Sequence, residues 1–153
     1  MMISVQHEDF DFSREYQLLR ENSADCGAIV TFTGLVRDFC QDGNISCMTL
    51  EHYPGMTEKS LMDISSEARR RWDLGDVRII HRVGTLEAKA QIVFIGVSSR
   101  HRKDAFEAAE FLIDYLKTRA PFWKKEHLTS GERWVESKTT DLEAAKRWSR
   151  AAT

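Results

Sequence analysis

The chain has 153 residues, of which 42% are hydrophobic and 30% charged, and its formal net charge is −2. This composition is typical of a soluble globular protein, so we expect residues 1–153 to form one domain, with about 138–153 as a tail. The near-zero net charge creates no global field for nucleic acid, and no apolar run approaches the ~20 residues of a membrane span, so neither partner is expected.

The first part of the chain predicts a strand, a helix and a strand. Residues 2–7 alternate weakly in polarity, as expected of an edge strand, and residues 13–22 have the pattern of a short helix with Ser13 as its N-cap. Residues 27–36 are β-branched and nearly all apolar, which predicts a central strand.

A turn, a strand and the clearest helix follow. Polar residues 37–46 predict a loop or hairpin turn, and residues 47–53 predict a strand. Apolar residues recur at helical spacing over residues 57–72, and Gly75 is expected to end that helix.

Two strands and a second strong helix come next. Strands are predicted within residues 76–86 and over residues 91–98, and a helix over residues 103–119. The side chains expected to face inward from this helix are Phe106, Ala109, Leu112, Ile113 and Leu116.

The C-terminal part predicts a hairpin and a short helical or frayed end. Residues 122–126 and 133–137 are expected to pair as the hairpin, and residues 141–150 to form the end. The predicted elements together describe an α+β fold, in which helices pack on a mostly antiparallel sheet with a C-terminal hairpin.

Residues 117–126 form the most informative stretch, because they place four cations around one proline and two large aromatic residues. Pro121 ends the helix, so Lys117 should lie in its last turn and Lys124 on the segment beyond. Two lysines on converging elements suit an anionic substrate or a proton transfer. The helix dipole alone would favour a cation at Lys117, but it does not account for Lys124.

A second cationic cluster, residues 100–103, lies where a strand passes into a helix. The dipole disfavours positive charge at a helix N-terminus, so a bound phosphate or carboxylate could compensate it there; a solvated, salt-screened cluster is the alternative. Arg37 directly follows a strong strand, a position that often carries binding residues, although for this residue taken alone an ordinary surface arginine is the favoured explanation.

Other chemistries lack their motifs. The histidines have no metal-ligand spacing, so we predict no metal site. No phosphate-binding glycine loop occurs either. The three cysteines, Cys26, Cys40 and Cys47, have no CxxC spacing and are odd in number, which favours a reducing compartment. The N-terminus has no apolar signal segment. Together these features predict a cytoplasmic location. Non-catalytic RNA binding through cations and aromatic residues is an alternative that the net charge disfavours.

Five ordered blocks resemble the large, catalytic subunit of molybdopterin synthase, over about residues 27–148. The blocks are GAIVTFTGLVR at 27–37, LEHYPGM at 50–56, HRVG at 81–84, SRHR at 99–102 leading to Ala105-Phe106, and LKTRAPFWKKE at 116–126 with WVE at 134–136. The resemblance implies an α/β hammerhead-like fold. It also implies a sulfurtransferase of molybdenum cofactor biosynthesis, which converts cyclic pyranopterin monophosphate (precursor Z) into the dithiolene of molybdopterin.

The resemblance also implies partners and residue roles. The sulfur donor would be the C-terminal thiocarboxylate of a small ubiquitin-like subunit, no other cofactor would be needed, and a homodimer with two small subunits would form a heterotetramer. Lys117 and Lys124 match the family's catalytic lysines, and their retention argues against a scaffold that has lost its chemistry. The residues matched to substrate contacts are Leu35, Val36, Arg37, His101, Arg102, Lys117, Lys124, Lys125 and Glu126.

One position departs from the family pattern. Where the family commonly has a glycine turn between two strands, this chain has Lys89. If the turn requires a positive φ, lysine there costs on the order of 1 kcal/mol. The catalytic blocks are intact, so the departure concerns the geometry of this loop.

Overall fold

A computed structural model describes residues 1–40, 43–128, 131–135 and 139–150, which form an α+β fold with two sheets. The strands in these ranges are β1 Met2–Gln6, β2 Ala28–Leu35, β3 Phe39–Cys40, β4 Gly43–His52, β5 Leu74–Arg82, β6 Gly84–Glu87, β7 Gln91–Ser99, β8 Phe122–Leu128 and β9 Gly131–Val135. The helices are α1 Phe12–Glu21, α2 Met56–Arg71, α3 Arg102–Arg119 and α4 Thr139–Lys146, with a 3-10 turn at Arg147–Arg150.

The first sheet has the order β1-β5-β7-β2, with β1 parallel to β5 and the other pairs antiparallel. In the second sheet the order is β3-β4-β8-β9, and β6 pairs with β4. The chain passes from the first sheet to the second at Gly84, whose φ of +91° is accessible mainly to glycine. The mostly antiparallel α+β prediction is therefore confirmed, as is the pairing of β8 with β9.

The core lies on both faces of the first sheet. Ile79 and Ile95 are fully buried in the cluster that contains residues of α2 and α3. On the opposite face, Ile80 and Phe94 pack with Leu19 of α1. Because both faces of the sheet are covered, β7 is buried along nearly its whole length and is mostly apolar, whereas β5 also carries charged residues, such as Asp76 and Arg78. No helix in the described part of the chain is long and apolar enough to cross a membrane.

Several element boundaries differ from the predictions. The N-cap of α1 is Asp11, whose side chain accepts a hydrogen bond from the Ser13 N–H at 3.0 Å, so the predicted cap at Ser13 is two residues late. The helix α2 ends before its C-cap Trp72, and Gly75 lies inside β5. A Cβ at Gly75 would overlap the Cys26 sulfur, so close approach is the reason for this glycine.

Two burial predictions are also wrong. The strand β2 was expected in the centre of its sheet, but it lies at the edge. It is apolar because it packs against α3 and contributes to a pocket wall. The side chain of Phe106 is 62% exposed, because it lies outside the helical face on which Ala105, Ala109 and Leu112 are buried.

The predicted turn at 37–46 is a hairpin, in which β3 pairs with the beginning of β4. Residues 41–42 of that turn and residues 136–137 of the predicted last strand lie outside the described residues. The predicted C-terminal end is helical, and Trp148 is anchored there in the core at 8% exposure. Its indole N–H donates to Asp114 at 2.7 Å, so the segment is tied to α3.

Candidate active site

A pocket of about 270 Å³ lies where β2, the C-terminal end of α3 and the β8–β9 hairpin meet. Its wall brings together five of the predicted site residues from three separate parts of the chain. These are Leu35, Arg37, Lys117, Lys124 and Glu126.

Lys117 reaches the pocket because α3 ends there. Ala120 is extended, with φ −78° and ψ 136°, as expected of a residue that precedes proline. This places Lys117 in the last turn of the helix, where its ammonium lies 3.9 Å from the Asp141 carboxylate of α4. The Lys117 side chain is 41% exposed, so it remains accessible from the pocket.

Strand alternation determines which residues of β8 face the pocket. Lys124 and Glu126 line it, together with Phe122, whereas Lys125 lies on the opposite face. On that face the Lys125 ammonium is 2.9 Å from Glu132 and 5.4 Å from the ring centre of Trp134. The structure therefore separates two lysines that are consecutive in the chain.

Val36 does not line the pocket in the described part of the chain. It is buried at 2% exposure, its N–H donates to the Ala90 carbonyl at 2.9 Å, and its own carbonyl accepts from Lys89. Val36 thus fixes the backbone between Leu35 and Arg37, both of which do line the pocket.

His101 and Arg102 lie at the far end of α3 and are exposed. The helical rise of 1.5 Å per residue puts about 22 Å between the Cα atoms of Arg102 and Lys117. Within one chain, the structure therefore does not bring this pair of predicted residues into the pocket.

Comparison with known proteins identifies the family. The MoaE protein family matches residues 5–119. The molybdopterin synthase catalytic subunit of Escherichia coli (strain K12) is 54% identical over 146 residues, which are 95% of this chain and 97% of that protein. The chain belongs to the MoaE family. The family predicted from the five sequence blocks is therefore confirmed.

Solved MoaE structures share the fold. The molybdopterin biosynthesis MoaE protein from Burkholderia ambifaria MC40-6 superposes with a TM-score of 0.81 at 49% identity, covering 97% of this chain and 98% of that one. A protein–protein complex of subunits 1 and 2 of molybdopterin-converting factor from Helicobacter pylori 26695 gives a TM-score of 0.73 at 18% identity. It covers 89% of this chain and 91% of that one.

Sequence reasoning missed three polar residues of this MoaE pocket: His81, Arg133 and Asp141. The Arg133 guanidinium donates to Glu126, with its Nη2 3.2 Å from Oε2, and Asp141 is the residue near Lys117. A signal for Arg133 was available, since in the predicted hairpin it would lie across from the pocket-facing residues of 122–126. No such signal existed for Asp141, because the path of the C-terminal segment is set by long-range packing.

His81 forms a buried part of the pocket wall, at 3% exposure. Its ring stacks on Phe122 with 3.8 Å between centroids, and its Nδ1 lies 2.8 Å from the Arg82 carbonyl. Because a carbonyl can only accept, Nδ1 carries the proton in this contact. Burial lowers the pKa of His81 to about 4, helped by the nearby charge of Lys124, so the ring is neutral at physiological pH.

Proposed function

We propose that this chain is the catalytic subunit of molybdopterin synthase, a sulfurtransferase that acts on cyclic pyranopterin monophosphate. The observation that carries the proposal is the meeting of Lys117, Lys124 and Arg37 in one pocket. They come from the last turn of α3, from strand β8 and from the loop after β2. Homology to named molybdopterin synthase catalytic subunits over 95% of the chain supports the same activity.

The chemistry requires stabilisation of negative charge at two places. The cyclic phosphate of the substrate is opened, and each sulfur donor is left as a carboxylate. Arg37 suits the phosphate, since a guanidinium can donate two parallel hydrogen bonds to it. Lys117 and Lys124 can stabilise developing anions and transfer protons at the reacting atoms.

The pocket also provides apolar walls for the pterin and for the tail of the donor. Ile113, Leu116 and Phe122 line it beside the cations, which reduces the water around the charges. The sulfur would arrive as a thiocarboxylate, so the reaction in this pocket needs no metal or other cofactor.

A small ubiquitin-like subunit is the partner that would deliver the thiocarboxylate. Two large apolar side chains in the pocket wall are partly exposed, Leu35 at 54% and Phe32 at 36%, and they offer a surface for a threading tail. The neighbour from Helicobacter pylori is itself a complex of two subunits of molybdopterin-converting factor, which agrees with this arrangement. We place the reaction in the cytoplasm, where Cys26 and Cys47 would stay as the free thiols seen here.

A homodimer would explain the position of His101 and Arg102. If these residues contact the same substrate as Lys117, they must come from a second copy of the chain, because about 22 Å of helix separates them within one copy. With one small subunit at each pocket, the assembly would be a heterotetramer. Mixing inactive Lys117→Ala and Arg102→Ala chains tests this: dimers that exchange should regain activity, and no recovery would contradict a shared site.

Reconstitution tests the proposed activity. The purified chain is mixed with thiocarboxylated small subunit and cyclic pyranopterin monophosphate, and the dithiolene pterin is measured as its fluorescent oxidation product. Lys117→Ala should lower turnover by about 100-fold or more, because it removes a charge that stabilises the developing anion. Arg119→Gln is the matched control, since Arg119 pairs with Glu67 outside the pocket wall.

Near-normal turnover by folded Lys117→Ala would exclude the proposed role of that lysine. A stable complex with the small subunit but no product from the wild-type chain would favour a scaffold that lacks chemistry. The thermal unfolding temperature of each variant shows whether a loss of turnover comes from the site or from the fold.

A further inference from the structure

Arg133 lies on the pocket face of the β8–β9 hairpin because of the strand register. Glu126 is directly opposite Arg133, and Lys124 is directly opposite Val135. Directly opposed residues of an antiparallel pair point to the same side of the sheet. All four residues accordingly line the pocket.

The Glu126–Arg133 pair is asymmetric in exposure. The Glu126 side chain is 10% exposed, whereas the Arg133 side chain is 40% exposed. One carboxylate oxygen, Oε2, accepts from both Nη2 at 3.2 Å and Nε at 3.4 Å. The carboxylate thus lies behind the guanidinium and restricts its orientation, while the guanidinium forms part of the accessible wall.

The described residues that line the pocket carry a net positive charge. Arg37, Lys117, Lys124 and Arg133 supply four positive charges, against the two carboxylates of Glu126 and Asp141. A buried carboxylate would repel a bound phosphate if it faced the ligand alone, but it stabilises a cation that lies between them. The arrangement therefore suits Glu126 as a partner of arginine better than as a direct contact of an anion.

We propose that Arg133 is a further anion-contacting residue of this pocket, and that Glu126 is a positioning residue that acts through Arg133. The identity of the anion, the phosphate of the pterin substrate, rests on the proposed function. A guanidinium held by a carboxylate on one side keeps a fixed plane of N–H donors for an oxyanion on the other. Arg133 belongs to β9 and Lys117 to the end of α3, so the two would contact a ligand from separate elements of the pocket wall.

Steady-state kinetics of the reconstituted complex tests the contact. Arg133→Gln should raise KM for cyclic pyranopterin monophosphate by about 10-fold, as expected when a charged hydrogen bond to substrate is lost. Arg133→Lys should recover part of that loss, because it keeps the charge but not the planar fork. Arg119→Gln, which removes an equal charge outside the pocket wall, should leave KM unchanged.

A double-mutant cycle tests the positioning role. Glu126→Gln should raise KM less than Arg133→Gln does, and the double variant should be no worse than Arg133→Gln alone. The double variant also removes the unpaired buried carboxylate that could destabilise Arg133→Gln, so it separates a folding defect from a binding defect. Additive increases in KM would show that Glu126 contacts substrate independently, and would overturn its assignment as a positioning residue.

Direct titration with inorganic phosphate, followed by the ³¹P linewidth, keeps the test independent of turnover. Weaker phosphate binding by Arg133→Gln than by Arg119→Gln supports the anion contact even if the wild-type chain forms no pterin product. Unchanged phosphate binding and unchanged KM in folded Arg133→Gln would overturn the proposal and leave a purely structural cross-strand pair. A wild-type chain that binds no phosphate would overturn it as well.

Discussion

The two faces of the β8–β9 hairpin carry the same kinds of side chain in different surroundings. On the pocket face, Glu126 is buried and pairs with Arg133. On the outer face, Glu132 is 53% exposed and lies close to both Lys125 and His127. A hydrogen bond from Lys125 holds the pKa of the Glu132 carboxyl below its usual range.

In our proposal, the concave wall, more than the run of cations, suits the stretch at residues 117–126 to binding a ligand. The outer face already pairs its charges with one another in open solvent, where such pairs contribute little. On the pocket face, an adjoining helix end, a loop and buried apolar residues surround the charges and leave room for a ligand. Chemically similar side chains one position apart should therefore differ greatly in their effect on turnover.

The largest expected effect compares Lys124 with Lys125. Lys124→Ala should lower kcat of the reconstituted synthase by about 100-fold or more, because it removes a charge from the proposed reacting centre. Lys125→Ala removes the same charge from the outer face, and we expect a change of less than about 3-fold, typical of an exposed ion pair. Equal losses in the two variants, at equal thermal stability, would contradict the division into two faces.

The sequence predicts nine site residues, and five of them line the pocket, but it does not predict which ones the fold brings together. Pro121 marks the end of α3, so the sequence alone places Lys117 in the last turn of that helix. The alternation of side chains along β8 also follows from the sequence. The resemblance nevertheless grouped Lys125 with Lys124, because a matched block carries no information about which face of the strand lines a pocket. His101 and Arg102 likewise matched family positions, although folding places them at the opposite end of the same helix.

Elements were predicted well where local pattern determines them and poorly where long-range packing does. The apolar periodicity of α2 and the buried run of β7 required no knowledge of their neighbours. The edge position of β2 depends on which strands pair, and the location of Asp141 depends on Trp148 docking against α3. Neither of these can be derived from residues close in sequence.

A second prediction compares one histidine on each side of the hairpin. His81 is buried behind Phe122, whereas His127 on the outer face is 25% exposed. Because burial lowers the pKa of His81 to about 4, the folded chain keeps this ring neutral while the unfolded chain protonates it near pH 6.5. Its contribution to stability is thus fully present above pH 6.5 and is lost as the pH falls towards 4.

Urea unfolding between pH 7 and pH 4.5 measures this contribution. The free energy of unfolding of the wild type should fall by roughly 2–3 kcal/mol more than that of His81→Gln over this range. His127→Gln is the control, because it removes the histidine of the outer face and should retain the steep decrease. Parallel pH profiles for the wild type and His81→Gln would show that His81 is not held neutral by the fold.

The smallest expected effect concerns two backbone positions that both have positive φ. The hairpin strand β9 begins with Gly131 at a φ of +136°, whereas the turn before β7 places Lys89 at +70°. The positive φ that would make the departure at Lys89 costly is therefore present. It strains Lys89, which has a Cβ, but not Gly131, which has none. The exposed ion pair of Lys89 with Asp38, 3.6 Å apart, offsets little of that strain.

Replacing Lys89 with glycine should stabilise the chain by up to about 1 kcal/mol, since relief of the left-handed conformation exceeds the added entropy of the unfolded chain. For a protein of this size, that corresponds to roughly 2–4 °C in the unfolding temperature. Lys89→Ala is the matched control: it removes the ammonium but keeps the strained φ, so its stability should stay within about 0.5 kcal/mol of the wild type. If alanine stabilises as much as glycine, the ammonium is the source of the strain. If both variants destabilise, the ion pair with Asp38 contributes more than its exposure suggests.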